Sequence, residues 1–228
     1  HRFYMDNNIL NKLREFLPEY PNISGKNEYI NSSILVPFIE IDGQYNLLFQ
    51  KRANHIRQGG EICFPGGIFD KKKDKNLIDT ALRETSEELG IETDKIEIIG
   101  KIDTFIMPMG LTVDGIVGVL KINDINELNI NKNEVDSVFT VPLSFFVNNI
   151  PQKYEVKLEV QPHYKDESGN DVVLFPAKEL GLPEIYWKPW GKAKHNLYLY
   201  KFEDKIIWGL TASIVKYVVD ITRIKTDY

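Results

Sequence analysis

The chain holds one cysteine, Cys63, in 228 residues. An internal disulfide is therefore excluded, and a reducing compartment suits the sequence. Histidine is scarce as well. His55, His163 and His195 are scattered, and none stands at zinc-ligand spacing from another ligand. No Ser-His-Asp order for nucleophilic catalysis can be defended. No apolar run approaches the length of about 20 residues needed to cross a bilayer, and no secretory h-region opens the chain. Positive charge is not in excess: 28 Lys+Arg stand against 33 Asp+Glu, a formal charge of −5. That balance argues against nucleic acid as a partner, yet it leaves room for a nucleotide held through a metal. There are no repeats, and Lys71-Lys72-Lys73 is the one low-complexity feature. His1 is read as an expression remnant and Met5 as a candidate start. Thr226-Asp227-Tyr228 is not a peroxisomal address. No membrane partner is expected, and the cytoplasm is the default location.

Ordinary globular composition remains, with 43% hydrophobic and 27% charged residues, enough apolar material for one large domain. Apolar spacing predicts a helix over Ile9 to Phe16, stopping before Pro18. Strands are expected over Ile34 to Ile41 and Tyr45 to Gln50, joined by a turn at Asp42-Gly43. A helix over Leu77 to Leu89 follows, with Asp74 as a candidate cap and Gly90 as its stop. Further strands are read at Ile96 to Phe105, Gly115 to Ile122, Val156 to Pro162, Val172 to Phe175 and Leu197 to Phe202. Asn126 to Asn133 reads as a loop, and Thr211 to Val219 as a last helix. Helices on a mixed sheet make a layered α/β fold. Cys63, between Ile62 and Phe64, reads as a buried strand thiol. Tyr186, Trp187 and Trp190, beside Pro183 and Pro189, read as packing residues more readily than as a platform for a base.

The most informative segment is Arg83-Glu84-Thr85-Ser86-Glu87-Glu88-Leu89-Gly90-Ile91. Residues three and four apart share a helix face, so Glu84, Glu87 and Glu88 fall within an arc of about 100°. Carboxylates gathered so closely repel one another unless a cation joins them, and hard divalent cations take such oxygens. A solvated acidic face is the competing reading. Upstream, Gly60-Glu61-Ile62-Cys63-Phe64-Pro65-Gly66-Gly67 runs an apolar stretch into a turn whose glycines let a backbone approach a ligand closely. Arg83, four residues before Glu87, is placed to hold that glutamate by an ion pair.

These residues resemble the Nudix box, G-x5-E-x7-R-E-U-x-E-E-x-G-U, where U is aliphatic. Arg83 to Ile91 match it except that Thr85 replaces the first aliphatic. The upstream half departs: the expected glutamate falls on Lys75, and the glycine pair lies two residues early, so the loop is longer than the family's. A second block, Leu47-Leu48-Phe49-Gln50-Lys51-Arg52, Arg57, Gly60 and Phe64-Pro65-Gly66-Gly67, is similar to an element of the coenzyme A pyrophosphatase subfamily, with imperfect spacing from Arg57 to Gly60. Val138 to Leu143 and Ile207 to Ala212 are similar to segments of that subfamily too.

The resemblance implies a Nudix fold, an α/β/α sandwich around a mixed sheet. It divides the chain into a helical extension over 1–33 and one Nudix domain over 34–228, with 150–196 as a long insertion or elaboration. It implies hydrolysis of a nucleoside diphosphate linked to another moiety, with Mg2+ or Mn2+ as cofactor held by Glu84, Glu87 and Glu88. Arg83 is then expected to orient those glutamates, Gly66 and Gly67 to shape the loop, and Arg52 and Arg57 to meet substrate phosphates. Asp70 or Asp74 is a candidate for the role lost at Lys75, and Glu61 or Glu134 for the general base. The subfamily points to coenzyme A or an acyl derivative, giving 3′,5′-ADP and 4′-phosphopantetheine. ADP-ribose, a dinucleoside polyphosphate, or a sensor without turnover are the alternatives. A homodimer is compatible with all of them.

Overall fold

The computed structural model describes residues 7–20 and 22–224; His1, Met5 and Thr226 to Tyr228 lie outside them. After helix α1 (Asn7–Phe16), strands β1 (Ile30–Ile41) and β2 (Gln44–Arg52) form a hairpin. Its two-residue turn is where the sequence places it. Asp42 and Gly43 both take left-handed backbone angles, φ 50 and 75, which suits the right-handed twist of the flanking strands. Short strands β3 (Ile62–Cys63) and β4 (Gly66–Ile68) follow, then helix α2 (Leu77–Leu89). Next come β5 (Ile96–Lys101), β6 (Phe105–Met107), β7 (Leu111–Leu120), β8 (Val135–Pro142) and helix α3 (Leu143–Asn148).

These strands make one eight-stranded sheet, ordered β3-β2-β1-β7-β5, with β4 on β1, β6 on β7 and β8 on β2. Strands β1 and β7 pair in parallel and the other pairs are antiparallel. The sheet is therefore mixed. Neighbouring residues along β1 and β2 point to opposite faces, and both faces are buried. Leu35, Ile39 and Leu48 pack with Ala81 and Leu89 of α2. Val36, Leu47 and Phe49 pack with Phe146 of α3 and with Ile214, Val215 and Val219 of helix α4 (Gly209–Ile224). Helices thus cover both sides, the expected α/β/α sandwich, and the near-continuous apolar run of β1 follows from double coverage.

Several elements depart from the bounds read in the sequence: β7, α4 and the strands over Gln152–Val160, Asp171–Val173 and Trp190–Phe202 begin or end elsewhere, and three further departures have a clear physical reason. β1 starts at Ile30, because Asn31, Ser32 and Ser33 enter the sheet despite their polarity. The Ser32 hydroxyl donates to the Thr112 carbonyl (3.1 Å), the Ser33 hydroxyl to that of Asp114 (3.3 Å), and Asn31 Oδ1 accepts from Thr112 Oγ1 (2.8 Å). The strand read over Ile96 to Phe105 divides into β5 and β6, which pair with successive parts of β7; β5 itself carries a register shift between Ile98 and Gly100. Asp74 does not cap α2; Asn76 does, its Oδ1 accepting from the N–H groups of Ile78 (2.8 Å) and Asp79 (3.2 Å).

Residues 150–196 carry strands β9 (Gln152–Val160), β10 (His163–Lys165), β11 (Asp171–Val173) and the start of β12 (Trp190–Phe202). With β13 (Lys205–Trp208) they build a three-stranded sheet, β13-β12-β9, and a separate β10-β11 hairpin. Tyr186, Trp187 and Trp190 pack locally: the Tyr186 and Trp190 rings meet edge to face at 5.4 Å, and Trp187 Nε1 donates to the Leu182 carbonyl. Among the described residues no helix is long and apolar enough to cross a membrane.

Candidate active site

The site lies between β4 and α2. Helix α2 runs from its Asn76 cap to Gly90, whose left-handed φ of 65 ends it while its N–H reaches the Ser86 carbonyl. Thr85, which replaces an aliphatic residue of the Nudix pattern, is fully buried, and its hydroxyl donates to the Ala81 carbonyl at 2.6 Å. Satisfied in this way, the threonine occupies an apolar position without an orphaned hydroxyl.

Glu88 sits on the same buried face, 3% exposed. Its carboxylate accepts from the Gly66 N–H at 2.9 Å. Burial pushes its pKa up to about 7, and the nearby charge of Glu84 pushes the same way. The Gly66 N–H, the Gln50 amide and the Arg52 guanidinium oppose that shift. Burial also raises Glu84, against the pull of Arg83. Glu87 is half exposed.

Arg83 joins the cluster. Its Nη1 reaches Glu84 Oε1 at 2.7 Å and Glu87 Oε2 at 3.3 Å. Its Nε and Nη2 donate to the two carboxylate oxygens of Asp74 at 2.7 and 2.9 Å. Asp74 is buried and also accepts from the Asp70 N–H (3.0 Å) and Thr80 Oγ1 (2.9 Å). The Arg83 guanidinium holds this carboxyl well below the usual carboxylate range, and Asp74 is the main cause that raises the Arg83 pKa further.

A cavity of about 590 Å³ opens over these groups, lined by Arg52, Gly67, Arg83, Glu84, Glu88 and Glu134 together with Gly66 and the loop after β4. Gly67 is pressed against Glu84: a Cβ there would lie 2.4 Å from the glutamate Cδ. Gly66 backs onto β1, where a Cβ would meet the Ser33 carbonyl oxygen at 2.4 Å. The structure thus brings Arg52, Gly66, Gly67, Arg83, Glu84 and Glu88 to one cavity. Arg57 is exposed outside it, although its carbonyl accepts from Arg52 Nε at 3.2 Å. Glu87 stays at the rim on Arg83. Of the two candidate bases, Glu134 lines the cavity and Glu61 does not. Asp70 lines it, Asp74 lies behind it on Arg83, and Lys75 lies outside, its N–H bound to Asp79.

Cys63 is a half-buried strand thiol whose pKa burial raises to about 11. Two features escaped the sequence reading, the Asp74–Arg83 pair and Gln50. Gln50 is fully buried, its Nε2 lies 3.8 Å from Cys63 Sγ, and among the described residues its Oε1 has no hydrogen-bond partner. It directly follows the apolar run Leu47-Leu48-Phe49 and precedes Lys51, so nothing local marks it for burial. Among the described residues no three carboxylate, imidazole or thiolate groups already form a metal cage. The donor chemistry nevertheless suits a hard divalent cation: the carboxylates of Glu84 and Glu88, both raised by burial, line one cavity, and neighbouring carboxylate charge adds to the upward shift of each.

Residues 31–160 match the NUDIX domain model, more than half of the chain. The chain belongs to the Nudix family. Its relatives include an uncharacterized Nudix hydrolase, NudL, of Photorhabdus laumondii, 30% identical over 208 residues, which cover 91% of this chain and 92% of that protein. Nudix hydrolase 3 of Caenorhabditis elegans is 39% identical over 114 residues, and that match spans 49% of this chain and 47% of the relative. Among solved structures, a MutT/nudix family protein from Enterococcus faecalis aligns over 97% of this chain and 71% of its own, with 15% identity and a TM-score of 0.46. The protein is accordingly a Nudix pyrophosphohydrolase, a class that acts on small nucleotide substrates with divalent metal ions.

Proposed function

We propose that this Nudix enzyme hydrolyses coenzyme A or acyl-coenzyme A to 3′,5′-ADP and the corresponding 4′-phosphopantetheine, with Mg2+ or Mn2+. The observation that supports this reading is the position of Arg52. It comes from the block that resembles the coenzyme A subfamily, and it lines the same cavity as Glu84 and Glu88. An arginine fork there suits phosphate oxygens. Glu84 and Glu88 are the residues to hold the metal, with Glu87 completing the set from the rim. When bound, the metal neutralises diphosphate charge and acidifies a water.

The chain's own residues supply the rest. Arg52 binds a phosphate, Gly67 lets the backbone lie close beside Glu84, and Arg83 positions Glu84 and Glu87. Glu134, steadied by Asn131 Nδ2 at 3.2 Å, accepts a proton from the attacking water. The water oxygen bonds to phosphorus, the anhydride P–O bond breaks, and the leaving phosphate takes the electron pair.

The test is a product assay with either metal across coenzyme A, acetyl-coenzyme A, ADP-ribose and NADH. Release of 3′,5′-ADP from coenzyme A supports the reading. Turnover of ADP-ribose or NADH without turnover of coenzyme A rejects it.

A further inference from the structure

A second cavity, of about 550 Å³, adjoins the first. The two share Ile68, Phe69 and Lys71 as a common wall. The second is otherwise lined by the segment leading into β1 and by the first residues of α2, among them Tyr29, Ile30, Asn27, Asn76 and Leu77. Its volume is that of an ordinary small-molecule site.

Its chemistry differs from that of the first. Asp70, Glu84, Glu88 and Glu134 line the first cavity, whereas among the described residues no carboxylate lines the second to attract a metal or a cationic group. Positive charge is limited as well. Lys26 is engaged with Asp114 at 3.2 Å, and Lys71 stands on the shared wall. What the chamber offers is apolar surface and amides. Ile30 and Ile68 expose 53% and 61% of their surface although they are large and aliphatic. Asn31 serves the fold, donating to the Lys26 and Tyr29 carbonyls and accepting from Thr112. Asn27 and Asn76 add side-chain amides at the edge.

We infer that this chamber binds the uncharged, amphipathic half of the substrate, joined to the diphosphate and distal to the adenosine. The inference rests on the proposed diphosphate site and adds which half of the substrate goes where. The 3′-phosphoadenosine half of coenzyme A carries an ionised phosphate and belongs beside Arg52 and Lys73 of the first cavity. The pantetheine arm carries two amides and no charge. It matches a chamber of aliphatic, aromatic and amide groups that continues from the diphosphate cleft past Lys71.

Product inhibition separates the two halves. Leu77→Asp places a carboxylate in the chamber at a first-turn helix position where acids are tolerated, and Tyr29→Ala removes a ring from its wall. In each variant, inhibition by 4′-phosphopantetheine is expected to weaken by about ten-fold or more, with inhibition by 3′,5′-ADP unchanged. The unchanged arm also reports that the variant is folded. Equal weakening of both products, weakening of 3′,5′-ADP alone, or no change in either would overturn the assignment. The wild-type product assay reports separately on the proposed function. If it shows cleavage of ADP-ribose and not of coenzyme A, the same comparison is made with ribose 5-phosphate and AMP: selective weakening of ribose 5-phosphate supports the chamber, and any other result rejects it.

Discussion

Asp74 grips Arg83 through two parallel hydrogen bonds of 2.7 and 2.9 Å. The aspartate lies in the loop before α2, nine residues ahead of the arginine, and fixes the guanidinium fork from behind. The remaining nitrogen, Nη1, is left for Glu84 and Glu87. An orienting pair of this kind commonly changes metal affinity or activity by about 10–100-fold when broken. Asp74→Asn keeps the shape and drops the charge, so kcat should fall within that range. Because the folded pKa of Asp74 is depressed, its stabilisation is present above the usual carboxylate pKa and is lost as pH falls below it. Acid unfolding of wild type and Asp74→Asn should therefore converge at low pH. Equal activity of the two proteins would show that Arg83 needs no anchor.

Glu88 predicts the opposite slope. Its folded pKa is raised from 4.5 to about 7. As pH climbs through 4.5 the unfolded chain ionises while the folded protein keeps the proton. The metal-free protein should thus lose stability between those values, by about 3 kcal/mol once both are passed. Thermal unfolding in chelator at pH 5 and pH 8 should show the loss, and Glu88→Gln should flatten it. A Tm that rises with pH in the wild type would contradict the burial argument.

Gly66 and Gly67 should fail differently when changed to alanine. At Gly67 the added methyl meets only the end of the Glu84 side chain, which can swing aside. Gly67→Ala should therefore fold with a near-normal Tm and lose activity. At Gly66 the methyl meets the backbone of Ser33 and Ile34, and this φ of 154 is one that side chains rarely adopt. Gly66→Ala should lower the Tm outright. The same melting profile for both would refute the distinction.

Metal dependence tests the carboxylates themselves. Chelation should abolish hydrolysis, and Mg2+ or Mn2+ should restore it. Glu84→Gln, Glu87→Gln and Glu88→Gln should each move the metal titration to higher concentration. Full activity in Glu87→Gln and Glu88→Gln at wild-type metal levels would remove those residues from the ligand set.

Much of this was readable in the chain. Helix α2 carries its own periodicity and its Gly90 stop, so both ends were placed from sequence, and Asp42-Gly43 specified its hairpin by backbone chemistry alone. The polar start of β1 was hidden because Asn31, Ser32 and Ser33 look like a loop until Thr112 and Asp114, some eighty residues later, satisfy them. In the sequence Asp74 reads as a cap for α2 or as a substitute for the glutamate missing at Lys75. No local pattern marks a loop carboxylate whose partner is a side chain two helical turns away. Gln50 was hidden by its neighbours: burial in an apolar strand is expected of Leu48 and Phe49, and nothing in their pattern singles out the amide beside them.

The parallel pairing of β1 with β7 also bears on how the chain is made. Residues 30–38 find their partners only at 111–119, and the apolar face carrying Val36, Leu47 and Phe49 is sealed by α4, after residue 208. Translation at about 5–20 residues per second leaves the hairpin waiting several seconds for β7 and longer for α4. During that interval one side of the nascent sheet is bare, so a chain stalled before α4 should be a substrate for chaperones or proteases.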